Sequence, residues 1–140
     1  MNHEPSPMNP PAKAGYFFPA ELAKHTTTWL SWPHKEESWP GKIATIYKPY
    51  CEFIRAVSEC ELVRINIVDE QRKAFAITQL QLAGVDMRKI EFFDFPTNDA
   101  WCRDHGPAFL INPETKQKAI VDWGYNAWGD KYPPYDLDDV

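Results

Sequence analysis

The sequence predicts an α/β fold, and three observations support this prediction. Two segments are predicted to be helices: residues 42–59 have apolar residues at the spacing of an amphipathic helix, and residues 70–82 follow a predicted N-cap and end near a glycine. Short runs rich in β-branched and aromatic residues precede and follow these segments, as the strands of a mixed fold do. The 140 residues are 44% apolar and 14% aromatic, which is enough for one domain with a hydrophobic core.

The first predicted strand and helix lie on either side of a polar loop. Residues 26–32 (TTTWLSW) are β-branched and aromatic and end at Pro33, so we expect a short strand there. Residues 42–59 carry an apolar stripe at helical spacing and are predicted to form the first helix. Because Pro49 removes one helical hydrogen bond, we expect a kink or a broken first turn at that position.

The strand and helix pattern then repeats. Residues 62–68 alternate apolar and polar side chains and are predicted to form a strand with one face toward the core. Asp69 is the predicted N-cap of a second helix over residues 70–82, which should end near Gly84. Three further strands are predicted, at residues 90–95, 108–112 and 119–123.

The two ends of the chain differ from this pattern. The first eleven residues contain four prolines, and residues 1–15 are predicted to be a flexible leader. At the other end, Asp136 is the predicted N-cap of a further helix, whose first turn Asp138 and Asp139 would suit. Because that helix has no body before Val140, we expect the chain to be the front part of a larger protein or a fragment of one.

Charge and cysteine content exclude several classes of protein. The formal net charge of −5 argues against nucleic acid as a partner, because phosphate binding requires a lysine and arginine surface, and it mildly favours a cationic ligand. The three cysteines contain no CxxC pair and predict neither a disulfide framework nor a zinc knuckle. No signal peptide or transmembrane stretch is evident, so we expect a cytoplasmic protein with no membrane partner.

Residues 97–107 (TNDAWCRDHGP) are the first candidate site, because they place charged and aromatic side chains between two apolar runs. Since predicted strands flank the segment, we expect it to be the loop between two strands of one sheet, where functional groups are often held. A carboxylate such as Asp104 beside the indole of Trp101 suits a guanidinium or an amine, since the charge pairs with the acid and the apolar part packs on the ring. Ion pairs of Arg103 and Asp104 that only hold the loop would explain the same residues equally well.

Two other uses of these side chains have less support. Cys102 lies beside Arg103 and His105, whose charges would lower a thiol pKa, but neighbours along a loop often face opposite ways. Asp99, Asp104 and His105 would need a further histidine motif to predict a metal site, and none is present. We therefore predict no bound metal.

Residues 122–136 (DWGYNAWGDKYPPYD) are a second candidate cluster, with two tryptophans and three tyrosines. This aromatic surface suits the lining of a ligand site, although packing in a core or at an interface is favoured. His34 also lies among aromatic residues and is interpreted as a loop residue that forms hydrogen bonds rather than as a catalyst.

Four segments, in order, carry a resemblance to a known family: residues 17–34 (FFPAELAKHTTTWLSWPH), 98–107 (NDAWCRDHGP), 122–129 (DWGYNAWG) and 131–139 (KYPPYDLDD). The chain resembles the agmatine deiminases and bacterial-type peptidylarginine deiminases, within the guanidino-group-modifying, or pentein, superfamily. Several ordered motifs of this length are far more specific than one short pattern.

The resemblance implies the fold of that family, a five-fold pseudosymmetric α/β propeller. Residues 16–140 would form the N-terminal portion of the catalytic domain, roughly the first blade and part of the second. A partial propeller leaves strand edges and apolar faces uncovered, so we expect a homo-oligomer or self-association.

The resemblance also implies a reaction that needs no cofactor. In this family a cysteine attacks the guanidinium carbon, ammonia leaves, and water releases the ureido product from a thiouronium-type intermediate. Asp104 is implied to be a catalytic residue that binds the guanidinium nitrogens, and Trp101 to line the channel for the substrate's aliphatic arm. Asn126 and Trp128 are further substrate-binding candidates.

The substrate that the resemblance implies is agmatine, converted to N-carbamoylputrescine and ammonia for polyamine synthesis. Residues 126–128 lack the arginines that grip an α-carboxylate in the peptidylarginine branch, although Lys131 is close. The family's nucleophilic cysteine and catalytic histidine belong to motifs absent from these 140 residues, so the chain alone is expected to be inactive. Deimination of peptidylarginine or free arginine, a non-catalytic cation-binding or assembly module, and a metal-dependent hydrolase are the alternatives.

Overall fold

A parallel three-stranded sheet with two helices packed on it forms the larger of two structural units. The computed structural model describes residues 10–139, of which residues 24–105 and 124–139 make up this unit. Its first five elements are β1 (Thr27–Ser31), α1 (Ile43–Ser58), β2 (Leu62–Asn66), α2 (Glu70–Leu82) and β3 (Ile90–Phe93). The strand order is β1-β2-β3, and both neighbouring pairs are parallel. Each connection between paired strands therefore passes through a helix, as parallel pairing requires.

The hydrophobic core lies between one face of this sheet and the two helices. Val63 and Ile65 of β2 are fully buried, and the residue between them points to the other face because strand side chains alternate. From the helices, Ile54 of α1 and Leu80 of α2 are also fully buried and belong to the same cluster. The α/β class predicted from the sequence is confirmed, whereas the propeller blade stays a prediction.

Helix α1 runs through Pro49 without interruption. The expected broken first turn is wrong, because the helix begins at Ile43 and continues past the proline to Ser58. Cys51 and Ile54, which follow the proline, are buried in the core. Their burial offsets the cost of a proline inside a helix, which is about 3 kcal/mol.

The predicted limits of α2 are confirmed at both ends. Asp69 has extended backbone angles, and its Oδ1 accepts a hydrogen bond of 2.7 Å from the Arg72 backbone N–H. This hydrogen bond lowers the pKa of the Asp69 carboxyl below its usual value. At the other end Gly84 has a φ of 73°, a left-handed angle that glycine adopts without a steric penalty.

The smaller unit comprises a β-hairpin and the described residues before Lys24. Its strands, β4 (Ala108–Ile111) and β5 (Lys118–Val121), pair in antiparallel register. Phe17 forms an isolated antiparallel bridge with Ile111. Residues 1–9 of the predicted leader lie outside the described residues, and Pro11–Ala14 form one turn of 3₁₀-helix.

One prediction about strand pairing is wrong, and one about a helix start is not tested. Residues 90–95 and 108–112 were expected to belong to one sheet, but β3 pairs with β2 and β4 pairs with β5. Alternation identifies a strand but not its partner, and the polar turn after β4 makes β5 the local partner. Asp136 was expected to begin a helix; residues 136–138 form a turn, in which the Asp139 N–H donates a 3.1 Å hydrogen bond to the Tyr135 carbonyl, so this expectation stays a prediction.

Residues 10–139 contain no helix that is both long enough and apolar enough to cross a membrane.

Two leucines of α2 provide a matched test of this core. Leu80 is fully buried and Leu82 is 78% exposed, although both lie in the last turn of the same helix. Leu80→Ala is expected to lower the free energy of unfolding by about 2–5 kcal/mol, because it leaves a cavity. Leu82→Ala is expected to change it by less than about 0.5 kcal/mol. Urea denaturation of both variants measures the difference, and equal losses would contradict the described packing.

Candidate functional site

The predicted loop at residues 97–107 contains one turn of helix, α3 (Cys102–His105), which is fixed to the end of β1. The Cys102 Sγ lies 3.0 Å from the Oγ of Ser31, the last residue of β1. The Tyr50 hydroxyl donates a 2.8 Å hydrogen bond to the Ser31 carbonyl. The motif therefore lies at the carboxyl end of a parallel strand, where ligand sites of α/β proteins are commonly found.

A groove of about 290 Å³ opens beside this motif in the larger unit. It is lined by aromatic, charged and hydroxyl side chains from three separate segments: Lys35, Glu37, Ser38, Asp99, Trp101, Trp128 and Tyr132. This mixture of flat apolar surface and few convergent polar groups is typical of small-molecule sites.

Indole rings form the apolar walls of the groove. The Trp101 ring centroid lies 5.6 Å from that of Trp39 and 6.5 Å from that of Trp128. The Tyr132 ring extends the wall, with its centroid 5.8 Å from that of Trp128. Trp101 and Trp128 remain 38% and 49% exposed, so these contacts leave much of each ring open to a ligand. An aliphatic chain could pack along this surface.

The polar groups of the groove carry one more carboxylate than ammonium. Asp99 is buried, and its Oδ2 accepts a hydrogen bond from the Ser38 hydroxyl and lies 3.9 Å from the Lys35 Nζ. Its Oδ1 accepts a 2.8 Å hydrogen bond from the Ala100 backbone N–H. The Glu37 carboxylate also lines the groove and is exposed. The groove therefore favours a cation over an anion.

Asp104 lies on α3, exposed, and is not among the described residues that line the groove. Its backbone N–H donates a 2.9 Å hydrogen bond to the Trp101 carbonyl, so one helical turn connects the two predicted site residues. Burial raises the pKa of Tyr125. The carboxylates of Asp138 and Asp104 raise it further, in that order. A role for Asp104 with a guanidinium stays a prediction.

Trp128 lies in a strained turn, α4 (Ala127–Asp130). Asn126 is the N-cap of this turn. Ala127, Trp128 and Asp130 have φ values of 46°, 58° and 58°, so this turn is left-handed. The left-handed conformation costs roughly 1–2 kcal/mol for each residue other than glycine. The Asn126 Oδ1 caps the turn by accepting a 2.9 Å hydrogen bond from the Gly129 N–H. Asn126 thus holds the turn, whereas Trp128 lines the groove.

The remaining reactive side chains have structural contacts. Burial raises the pKa of the Cys102 thiol, which is opposite to what an activated thiolate requires. The Nδ1 of His34 lies 3.0 Å from the Trp32 carbonyl oxygen, which confirms its interpretation as a loop hydrogen-bonding residue. The His105 ring centroid lies 5.9 Å from that of Tyr125. Across residues 10–139, no three or more His, Cys, Asp or Glu side chains are placed to hold a metal ion.

Several groove residues were not predicted from the sequence. Lys35, Glu37 and Ser38 follow β1, in a loop that carried no recognised motif. Asp99 was considered only as a metal ligand, but it is the buried carboxylate of the groove. The available signal was position, because polar residues just after a parallel strand lie at the carboxyl edge of its sheet.

Comparisons with known proteins relate these residues to one family. Residues 17–140 match the family model of the Porphyromonas-type peptidyl-arginine deiminases. The chain is 34% identical over 134 residues to a Selenomonas ruminantium protein that carries the agmatine deiminase name, covering 93% of this chain and 35% of that protein. It is 33% identical over 121 residues to the agmatine deiminase of Stutzerimonas stutzeri, covering 86% and 31%.

A solved structure shares the fold of the chain. A variant of the C. jejuni agmatine deiminase, determined with substrate bound, superposes with a TM-score of 0.72 at 27% identity, covering 89% of this chain and 34% of that structure. The chain spans about a third of the length of the curated relatives that it matches.

The three cysteines are expected to differ in reactivity toward iodoacetamide. Burial raises the pKa of Cys51 and of Cys102, whereas Cys60 is exposed. At pH 7.5, Cys60 should be alkylated first, and Cys102 at least about tenfold more slowly, because only the thiolate reacts. Peptide mapping by mass spectrometry measures the three rates, with Cys60→Ser as the control. Fast alkylation of Cys102 would restore it as a candidate nucleophile.

Proposed function

The chain belongs to the Porphyromonas-type peptidyl-arginine deiminase family, and on this basis we propose that the whole protein deiminates agmatine. The reaction consumes one water, replaces one guanidinium nitrogen by oxygen, and yields N-carbamoylputrescine and ammonia. Support for agmatine comes from two curated relatives at 33–34% identity that carry this activity in their names. Agmatine has a guanidinium and an ammonium at opposite ends of a four-carbon arm, so it is a slender dication.

The groove is the observation that carries this proposal. Its indole rings at Trp101 and Trp128 offer flat apolar surface to an aliphatic arm, and its excess carboxylate suits a cationic end group. Glu37 is exposed in the groove and available to a ligand, whereas Asp99 is already bonded to Ser38.

Agmatine fits the electrostatics of the groove better than arginine does, because agmatine has no carboxylate. An α-carboxylate would need a cation, and Lys35, the lysine that lines the groove, lies 3.9 Å from the Asp99 carboxylate. Binding a second carboxylate would compete with this ion pair. We therefore place agmatine ahead of peptidylarginine and free arginine.

In the proposed mechanism this chain binds substrate and does not supply the reacting thiol. Asp104 binds guanidinium nitrogens and Trp101 packs along the aliphatic arm. A cysteine outside these 140 residues forms the thiouronium-type intermediate, and Cys102 is unsuited to that step because burial raises its thiol pKa. The proposed setting is a cytoplasmic, self-associating enzyme of polyamine synthesis.

An ammonia-release assay tests the proposed activity. The whole protein is expected to release ammonia and a ureido product from agmatine, and the 140-residue chain alone is expected to release none. Free arginine and a peptidylarginine substrate are the competing substrates in the same assay. Faster turnover of either one would reject the substrate assignment, and turnover by the 140-residue chain would reject the location of the thiol.

Substitutions at Trp101 and Asp104 test their proposed roles in the whole protein. Asp104→Asn is expected to lower kcat/KM for agmatine by about a hundredfold or more, because a charge that grips the guanidinium is lost. Trp101→Ala is expected to raise KM by about tenfold, because apolar contact with the arm is lost. Steady-state kinetics measure both effects.

The matched controls are Asp86→Asn and Trp123→Ala, which change exposed residues that do not line the groove. Both should keep kcat/KM within about twofold, as surface substitutions away from a site usually do. If Asp104→Asn behaves like Asp86→Asn, its proposed role is rejected.

A further inference from the structure

A short acidic segment, residues 136–139 (DLDD), is hydrogen-bonded to both loops that carry the indoles of the groove; we call it the bracket. Asp138 is its buried member, with only 5% of its surface exposed. The Asp138 Oδ1 accepts a 2.8 Å hydrogen bond from the Asn98 backbone N–H and a 3.5 Å contact from that of Asp99. These two residues lead directly into the loop that carries Trp101.

Asn98 binds the bracket in return. Its Oδ1 accepts a 2.7 Å hydrogen bond from the Leu137 backbone N–H. Its Nδ2 lies 3.4 Å from the Asp136 Oδ1, which is a longer contact at an exposed position. The loop of Trp101 is thus bound to the bracket by backbone and side-chain groups on both partners.

Asp139 binds the other loop. Its Oδ1 accepts a 2.7 Å hydrogen bond from the Tyr125 backbone N–H. Tyr125 stands two residues before α4, the left-handed turn that presents Trp128 to the groove. A turn in this conformation persists only where surrounding contacts hold it. Asp139 supplies one such contact at the entry to the turn.

We infer that Asp138 and Asp139 are positioning residues: the bracket fixes the spacing of Trp101 and Trp128, and therefore the width of the groove between them. Neither carboxylate lines the groove, so both act through the loops that they hold. This inference rests on the proposed function for its kinetic consequence, whereas the contacts themselves do not depend on it. It also gives residues 136–139 a role beyond the helix start that the sequence predicted.

The physical basis is the strength of a carboxylate as an acceptor for backbone N–H groups. Hydrogen bonds to an ionised acceptor are shorter and stronger than neutral ones. Removal of the Asp138 carboxylate would leave the backbone N–H groups of Asn98 and Asp99 without this acceptor. The loop would then shift until these groups found another acceptor. A small displacement of a substrate-positioning group is enough to weaken binding.

Kinetics of the whole protein with agmatine test this inference. Asp138→Ala and Asp139→Ala are each expected to raise KM by about tenfold with kcat within about threefold, because substrate binding is weakened while the reacting groups are untouched. Asp138→Asn should restore KM to within about threefold of the wild type, because its amide oxygen can still accept the Asn98 N–H. Asp86→Ala, which removes an exposed carboxylate outside both the bracket and the groove, is the control and should leave both constants unchanged.

Amide hydrogen exchange, followed by mass spectrometry, gives a second measurement that is independent of activity. Asp138→Ala should speed exchange in peptides that contain residues 98–99, and Asp139→Ala in peptides that contain Tyr125. If Asp138→Ala does not fold, Asp139→Ala, whose side chain is exposed, decides the question by both measurements.

The outcomes separate the two proposals. An inactive but folded wild-type protein overturns the proposed function, and exchange then decides the bracket alone. KM values for Asp138→Ala and Asp139→Ala that equal that of Asp86→Ala overturn the positioning role. Unchanged exchange at residues 98–99 and at Tyr125 overturns the contacts themselves.

Discussion

Ser31 is bonded by three other elements at the point where β1 ends, and the position of the groove depends on these contacts. The residue has no exposed surface. Its Oγ lies 3.0 Å from the Cys102 Sγ and accepts a 3.3 Å hydrogen bond from the Asn66 Nδ2, and its carbonyl accepts one from Tyr50. Helix α1, strand β2 and helix α3 therefore meet at one residue, α1 through its backbone carbonyl and the other two through its side chain. Burial of the sheet against α1 and α2 fixes β1, and Ser31 transmits that position to α3.

Much of the acidic character of the chain is used to hold loops and helix ends. Within residues 10–139, carboxylates accept hydrogen bonds from backbone N–H groups at six places, where the acceptors are Glu36, Asp69, Asp86, Asp99, Asp138 and Asp139. A negative net charge can therefore arise from structural requirements alone, without any cationic ligand. The charge of the groove is informative because Glu37 is exposed there, not because the chain as a whole is acidic.

Local patterns in the sequence predicted the elements of the larger unit because those elements are stabilised by local geometry. The apolar stripe of α1, the alternation in β2 and the Asp69 cap each depend on residues that are close together in the sequence. Trp101 and Trp128 were also predicted as site residues, and both line the groove. Their selection rested on a family resemblance as well as on chemistry.

Long-range contacts could not be predicted in the same way. The pairing of β3 with β2 joins residues about 27 positions apart and places β3 and β4 in different sheets, which the alternation of neither strand encodes. Asp138 matches the pattern of a helix start. Its Oδ1, however, accepts a hydrogen bond from the backbone N–H of Asn98, forty residues earlier in the chain. Lys35 and Asp99 became groove residues only through a contact that spans two loops.

The left-handed turn at Ala127–Asp130 has a consequence for chirality. Its backbone is close to the mirror image of an ordinary helical turn, so the usual ranking of residues for helices does not hold there and glycine is favoured instead. Alanine, the best residue in a right-handed helix, is disfavoured at position 127, whereas its D-enantiomer would adopt this φ without strain. The indole of Trp128 is therefore carried by a left-handed backbone, a conformation that L-amino acids disfavour.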